Sequence, residues 1–97
     1  MQELPFISII NPIRNVERTI ETNLKYLLGI DYPKEKFEIV FGDGGSTDKT
    51  VDIIREWQKK YGLIKLVIVP NSKSPGEARN AALKIAKGDY ILFTDGD

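Results

Sequence analysis

The stretch that decides the fold is "FEIVFGDGGSTDKTVDIIREWQKKYG", residues 37–62. It opens on Phe37 to Phe41, a nearly continuous run of β-branched and aromatic residues, the composition of a strand buried on both faces. A glycine-rich loop follows, and then Ile53, Ile54, Trp57 and Tyr61 fall on one helical stripe, closed by Gly62. Strand, loop and amphipathic helix in that order make one β-α unit, and the chain repeats the unit on either side. Phe6 to Ile10, Ile64 to Val69 and Tyr90 to Thr94 read as further strands. Val16, Ile20, Leu24, Leu27 and Leu28 form a helical stripe, with Asn15 as its expected N-cap and Pro33 beyond its end. Ser74-Pro75-Gly76-Glu77 announces another helix through an N-cap serine, a proline at the first helical position and a capping-box glutamate; Gly88 is expected to end it.

The pattern is βαβαβαβ, so the predicted fold class is α/β, with four parallel strands and three helices in three layers. Right-handed crossovers restrict the winding. If the second and third strands step outward from the first, the first two helices share a face and the fourth strand returns to the other side, giving the order 3-2-1-4. Ligands bind such Rossmann-like sheets beyond the carboxyl ends of the strands, where the order reverses. The unusual peptides all follow strands: Asn11-Pro12-Ile13-Arg14-Asn15, Gly42-Asp43-Gly44-Gly45-Ser46, Pro70-Asn71-Ser72 and Asp95-Gly96-Asp97.

Composition narrows the chemistry. With 97 residues there is room for one small domain with a core. Lys plus Arg and Asp plus Glu are 14 each, so no basic field draws the chain to nucleic acid. No cysteine or histidine is present, which removes disulfides, thiolate sites, a Ser-His-Asp triad and the commonest zinc ligand, and leaves acid-base or metal work to carboxylates. No apolar run approaches the length that spans a bilayer, and Met1 to Pro5 lacks the regions of a signal peptide. The expected location is therefore the cytoplasm, with membrane association of the full-length protein left open.

Four groups could carry function. Asp95 and Asp97, two apart at a strand exit, would project to the same side in extended backbone and suit a hard cation such as Mn²⁺ or Mg²⁺; a solvated turn would use the same residues. Asp43 opens the glycine loop, where a carboxylate can accept hydrogen bonds from a base imide or a ribose, or shape the loop as an Asx-turn. Ser46, Thr47 or Asp48 can cap the following helix. Arg79 has no carboxylate three or four positions away and stands near a helix start, against the macrodipole; it either meets an anion or is solvated. Arg14 can stack on a base, contact phosphate or remain loop surface. A G-x-G-x-x-G fingerprint after the first strand and a P-loop are both missing.

Taken together, "ISIINPIRN", "IVFGDGGSTDKT" and "GEARNAALKIAKGDYILFTDGD" resemble, in order and spacing, the opening strand, the Asp-rich second-strand loop and the Ala-Arg-Asn helix with DxD strand of family 2 glycosyltransferases. These are GT-A-fold enzymes that move a sugar from a nucleotide diphosphate to an acceptor. The resemblance implies that Pro12, Ile13, Arg14 and Asn15 line the base pocket and that Asp43 contacts the base. It also implies that Arg79 reaches base or diphosphate, Asp95 holds ribose or metal, and Asp97 coordinates the metal. The resemblance implies a UDP- or GDP-sugar as donor; Ile13-Arg14 and Gly44 depart from the usual Thr-Tyr and second aspartate, both at the base pocket, and leave the choice of nucleotide open. The family places its acceptor site and general base after the DxD strand. The 97 residues are therefore expected to be the donor half, cut at that motif, holding no catalytic residue and self-associating through an uncovered fourth strand. A nucleotidyltransferase of related architecture, or a non-catalytic assembly module, are the competing readings; the first normally has a basic glycine loop where Asn11 to Asn15 has neither glycine nor more than one arginine.

Overall fold

The structure, a computed structural model, describes residues 4–94. Asp95 and Asp97 therefore lie outside the described residues. The elements are β1 (Ile7–Ile13), α1 (Ile20–Leu28), a 3-10 turn (Lys34–Lys36), β2 (Phe37–Asp43), α2 (Thr50–Gln58), β3 (Ile64–Ile68), α3 (Pro75–Ile85) and β4 (Tyr90–Phe93). The sheet is parallel throughout in the order β3-β2-β1-β4, as the crossover argument requires.

Alternation along the strands splits the core in two. Ile9, Ile13, Phe37, Ile39 and Phe41 face α1 and α2, where Ile20, Leu24, Leu27 and Ile54 complete a large apolar cluster. Ile10 and Val40 face α3 and meet Ala82 in a much smaller one. The small side chains of α3 let its backbone approach the sheet closely: a Cβ on Gly42 would lie 2.2 Å from the Ala78 carbonyl oxygen. The third layer is thus thin, and β4 is the edge it leaves open. Tyr90, Leu92 and Phe93 are 62%, 52% and 57% exposed, enough to make this edge an apolar surface.

Local expectations shift in four places. Asn15 does not cap α1: it takes a left-handed conformation at φ 52°, and the helix starts at Ile20 after a turn in which the Ile20 amide already donates to the Val16 carbonyl at 2.9 Å. Ser74 does stand at the N-cap of α3 with Pro75 next, but no side-chain cap bond forms; the Glu77 carboxylate reaches past Ser74 and accepts from the Lys73 amide instead. Gly62 lies beyond the end of α2 at Gln58. Gly88 lies beyond the end of α3 at Ile85, and its smallness serves β1, since a Cβ there would sit 2.5 Å from the Ser8 nitrogen.

Candidate functional site

All described residues with positive φ stand at the carboxyl ends of strands: Asn15 (52°) after β1, Gly45 (93°) after β2 and Asn71 (58°) after β3. Asparagine and glycine tolerate this region; other side chains pay for it. Unfavourable backbone gathered at one end of a sheet marks where loops are shaped for a task. The loops also touch one another. A Cβ on Gly45 would lie 3.1 Å from the Asn71 nitrogen, so the turns after β2 and β3 meet there.

Asn15 joins the other pair. Its Oδ1 accepts from the amides of Thr47 (2.8 Å) and Asp48 (3.3 Å), while its own amide donates to Ser46 Oγ at 2.8 Å. Ser46 Oγ in turn donates to Asp43 Oδ1 at 2.5 Å. Asp43 Oδ2 accepts from the amides of Gly45 (3.1 Å) and Ser46 (2.8 Å), and the carboxylate is fully buried. Asp43 thus does form an Asx-type turn. A carboxylate has about four lone-pair sites, and three loop hydrogen bonds leave one on Asp43 for another donor.

Asp48 stands one residue before the Lys49 N-cap of α2 and holds the first helical residue, Thr50. Its Oδ1 accepts from the Thr50 amide (2.9 Å) and hydroxyl (2.6 Å), and its Oδ2 from the Glu17 amide at 3.2 Å. Desolvation pushes its pKa up, but the hydrogen bonds from Thr50, Glu17 and its own amide outweigh that and hold the carboxyl below its ordinary value.

Between these loops and the start of α3 lies a cleft of about 430 Å³ lined by Pro12, Ile13, Arg14, Val16, Gly44, Ser72, Lys73, Ser74, Pro75, Ala78 and Thr94. Its position is the order reversal between β1 and β4. Pro12 can stand in a central strand here because β4 pairing reaches only Ile10 and Thr94, so no ladder partner wants its missing N–H. The walls are mainly apolar, and the charged lining residues, Arg14 and Lys73, are both basic. Such a slot accepts a flat ring with an anionic tail.

Of the residues named from sequence, the cleft gathers Pro12, Ile13 and Arg14. Asn15 holds the adjoining loops, and Asp43 lies buried beneath Gly44. Arg79 is exposed and outside the cleft lining, its guanidinium 5.8 Å from the centre of the Phe93 ring on β4. Ser72, Lys73 and Thr94 were not singled out as site residues. Their signal was only position, one turn after β3 or at the exit of β4.

Residues 8–97 match the model of the family described as Glycosyl transferase family 2. The chain is 45% identical over 92 residues to the poly(ribitol-phosphate) beta-glucosyltransferase of Bacillus spizizenii, covering 94% of this chain and 14% of that protein. The structure of S. aureus TarS 1-349 in complex with UDP-GlcNAc superposes with a TM-score of 0.87 at 40% identity, over 95% of this chain and 26% of that one. The mannosyltransferase PcManGT from Pyrobaculum calidifontis, in complex with GDP-Man and Mn²⁺, gives 0.84 at 33% identity, over 96% and 28%. The chain thus spans a small fraction of each of these proteins. Matched along almost its whole length in sequence and superposable in its backbone, the chain belongs to glycosyl transferase family 2.

Proposed function

We propose that the chain is the donor-binding part of a glycosyltransferase, taking the nucleoside diphosphate of a UDP- or GDP-sugar into the cleft beyond β1 and β2. The observation that carries this is the cleft itself, at the order reversal of the sheet, with apolar walls from Pro12, Ile13, Pro75 and Ala78 and basic side chains at Arg14 and Lys73. The base lies between the apolar walls. Arg14 and Lys73 meet phosphate oxygens, and Asp43, buried beneath Gly44, offers its remaining acceptor site to a hydroxyl of the nucleoside when Gly44 moves aside. Arg79, held on Phe93 at the edge of β4, serves the diphosphate from outside the slot.

The metal would be held by Asp95 and Asp97. The donor set fits a hard cation: both are oxygen ligands, and they follow directly on Thr94, which lines the cleft. Among the described residues there is no group of three or more His, Cys, Asp or Glu side chains that could hold a metal, and the described lining holds no carboxylate. When bound, Mn²⁺ or Mg²⁺ neutralises charge on the leaving diphosphate. The described cleft also presents no candidate general base, and the relatives are far longer, so the 97 residues alone are expected to bind donor without transferring sugar. Their exposed β4 edge would pair with a second copy at high concentration, which sedimentation across a concentration series checks.

Calorimetry with UDP and GDP, with and without Mn²⁺, tests the reading. Millimolar or tighter binding, strengthened by Mn²⁺, is expected; no binding of either nucleotide at millimolar concentration with Mn²⁺ present overturns it.

A further inference from the structure

Ser72 is 9% exposed yet lines the cleft. Its hydroxyl proton is committed: Ser72 Oγ donates to the Ser74 carbonyl at 2.7 Å, a shorter bond than the 3.3 Å to Glu77 Oε1. No donor among the described residues reaches its lone pairs. The oxygen thus has its hydrogen bond through its own proton and presents those lone pairs at the wall of an apolar slot.

Gly44 supplies a second observation. It has no positive φ, and a Cβ built on it would meet Ser72 Cβ at 3.4 Å, Ser72 Oγ at 3.6 Å and the Ile13 carbonyl oxygen at 3.7 Å, which are ordinary contacts. Neither backbone conformation nor space demands glycine at this position. What its bareness does is leave the Ser72 hydroxyl uncovered on the cleft side. By contrast, Gly42 and Gly88 are bare because backbone would collide with anything larger.

Resting on the donor-binding reading above, we infer that Ser72, exposed to the cleft by Gly44, determines nucleobase specificity by accepting a hydrogen bond from a ring N–H beside a carbonyl. Uracil and guanine carry that group. Cytosine and adenine offer a lone pair at the corresponding ring nitrogen, which would face the Ser72 lone pairs with no proton between them. The apolar walls argue for a base rather than a ribose at this point, because ribose hydroxyls would be stranded against Pro12, Ile13 and Ala78. Lys73 and Arg14 only donate, so they cannot make the same distinction, and Asp43, fully buried and outside the lining, does not present its remaining acceptor to the cleft while Gly44 stays in place.

The test measures the affinity of the 97-residue chain for UDP, GDP, CDP and ADP in the presence of Mn²⁺, by calorimetry or ligand-observed NMR. The chain should bind the better of UDP and GDP about tenfold more tightly than CDP and ADP, as expected for one matched against one opposed hydrogen bond. Ser72→Ala should shrink that preference to about threefold or less. Gly44→Ala should do the same by covering the hydroxyl while keeping the Ser72 to Ser74 bond, so a loop disturbed by losing Ser72 is told apart from a lost acceptor. Equal binding of all four nucleotides, or a preference unchanged in both variants, overturns the inference and leaves donor binding standing. Failure of all four to bind overturns the donor-binding reading and this inference with it.

Discussion

Two buried carboxylates sit at opposite ends of the sheet, Asp43 where β2 leaves it and Glu38 where β2 enters it, and their surroundings differ in kind. Glu38 Oε2 accepts from Ser8 Oγ (2.7 Å) and the Lys87 amide (2.8 Å), while Ser8 Oγ accepts from the Gly88 amide at 2.8 Å. These partners come from β1 and from the connection between α3 and β4, far away in sequence. Asp43 is held almost entirely by its own loop, two and three residues on. Glu38 therefore closes a seam between three segments, and Asp43 shapes a turn beside a cleft. Burial and hydrogen bonding are shared by both; what differs is the neighbourhood, since Asp43 lies directly under Gly44 of the cleft lining and Glu38 lies within a closed seam.

Breaking the closed end should have the largest effect. Gly88→Ala would put a Cβ 2.5 Å from the Ser8 nitrogen, 2.6 Å from Ser8 Oγ and 2.8 Å from the Tyr90 carbonyl oxygen, all but one of them backbone. Forcing that seam apart is expected to cost about 3 kcal/mol, read as a lower urea midpoint with an unchanged slope. Glu38→Gln keeps one acceptor but loses the charge that strengthens both bonds, at about 1–2 kcal/mol. Nucleotide affinity in the Gln variant, measured where it is still folded, should stay within about twofold, because the seam lies at the far end of the sheet. A larger loss of affinity would mean that the two ends are coupled and the comparison fails.

The open end should show the reverse balance. Asp43→Asn retains one loop acceptor and is expected to cost about 1 kcal/mol of stability, but to weaken UDP or GDP binding about tenfold, because the remaining acceptor site is lost. If stability falls while affinity holds, Asp43 is a turn-former alone, and the two carboxylates are alike after all.

How much of this could be read from sequence follows the same division. Order and hand of the sheet were legible because apolar runs and helical stripes alternate cleanly, and crossover handedness left few windings. The loops after strands were legible as special because glycine, proline and asparagine punctuate them. The details of Asn15 were not: as a residue before an apolar stripe it reads as an N-cap, but the Thr47 and Asp48 amides, more than thirty positions away, compete for its side chain and win. Glu77 likewise fits a capping box until the Lys73 amide, one residue before Ser74, offers a better donor. Glu38 reads as the polar position of a strand, since its partners Ser8 and Lys87 meet it only once the sheet is assembled. The Ser72 acceptor is equally invisible, because its proton's commitment to Ser74 is a fact of turn geometry.

The smallest expected effect belongs to Asp48, a third carboxylate, on the same loop as Asp43 but partly solvated. Its folded pKa lies below the ordinary 3.8, desolvation being outweighed by bonds from Thr50 and Glu17. In the interval between the folded value and the ordinary one the unfolded chain binds more protons, so stability rises with pH there. The contribution is complete above the ordinary value and is lost as pH falls through the folded value. Asp48→Asn keeps an oxygen for Thr50 but cannot titrate, so its melting temperature should fall less than the parent's between about pH 6 and about pH 3. Solvent screening makes the difference small at any one pH, and added salt should reduce it further. Parallel acid limbs in parent and variant would show that Asp48 is held no more firmly than a free aspartate. The loop's ordering would then rest on Asp43 and Asn15 alone, which sharpens the contrast between a carboxylate buried at the cleft and one merely beside it.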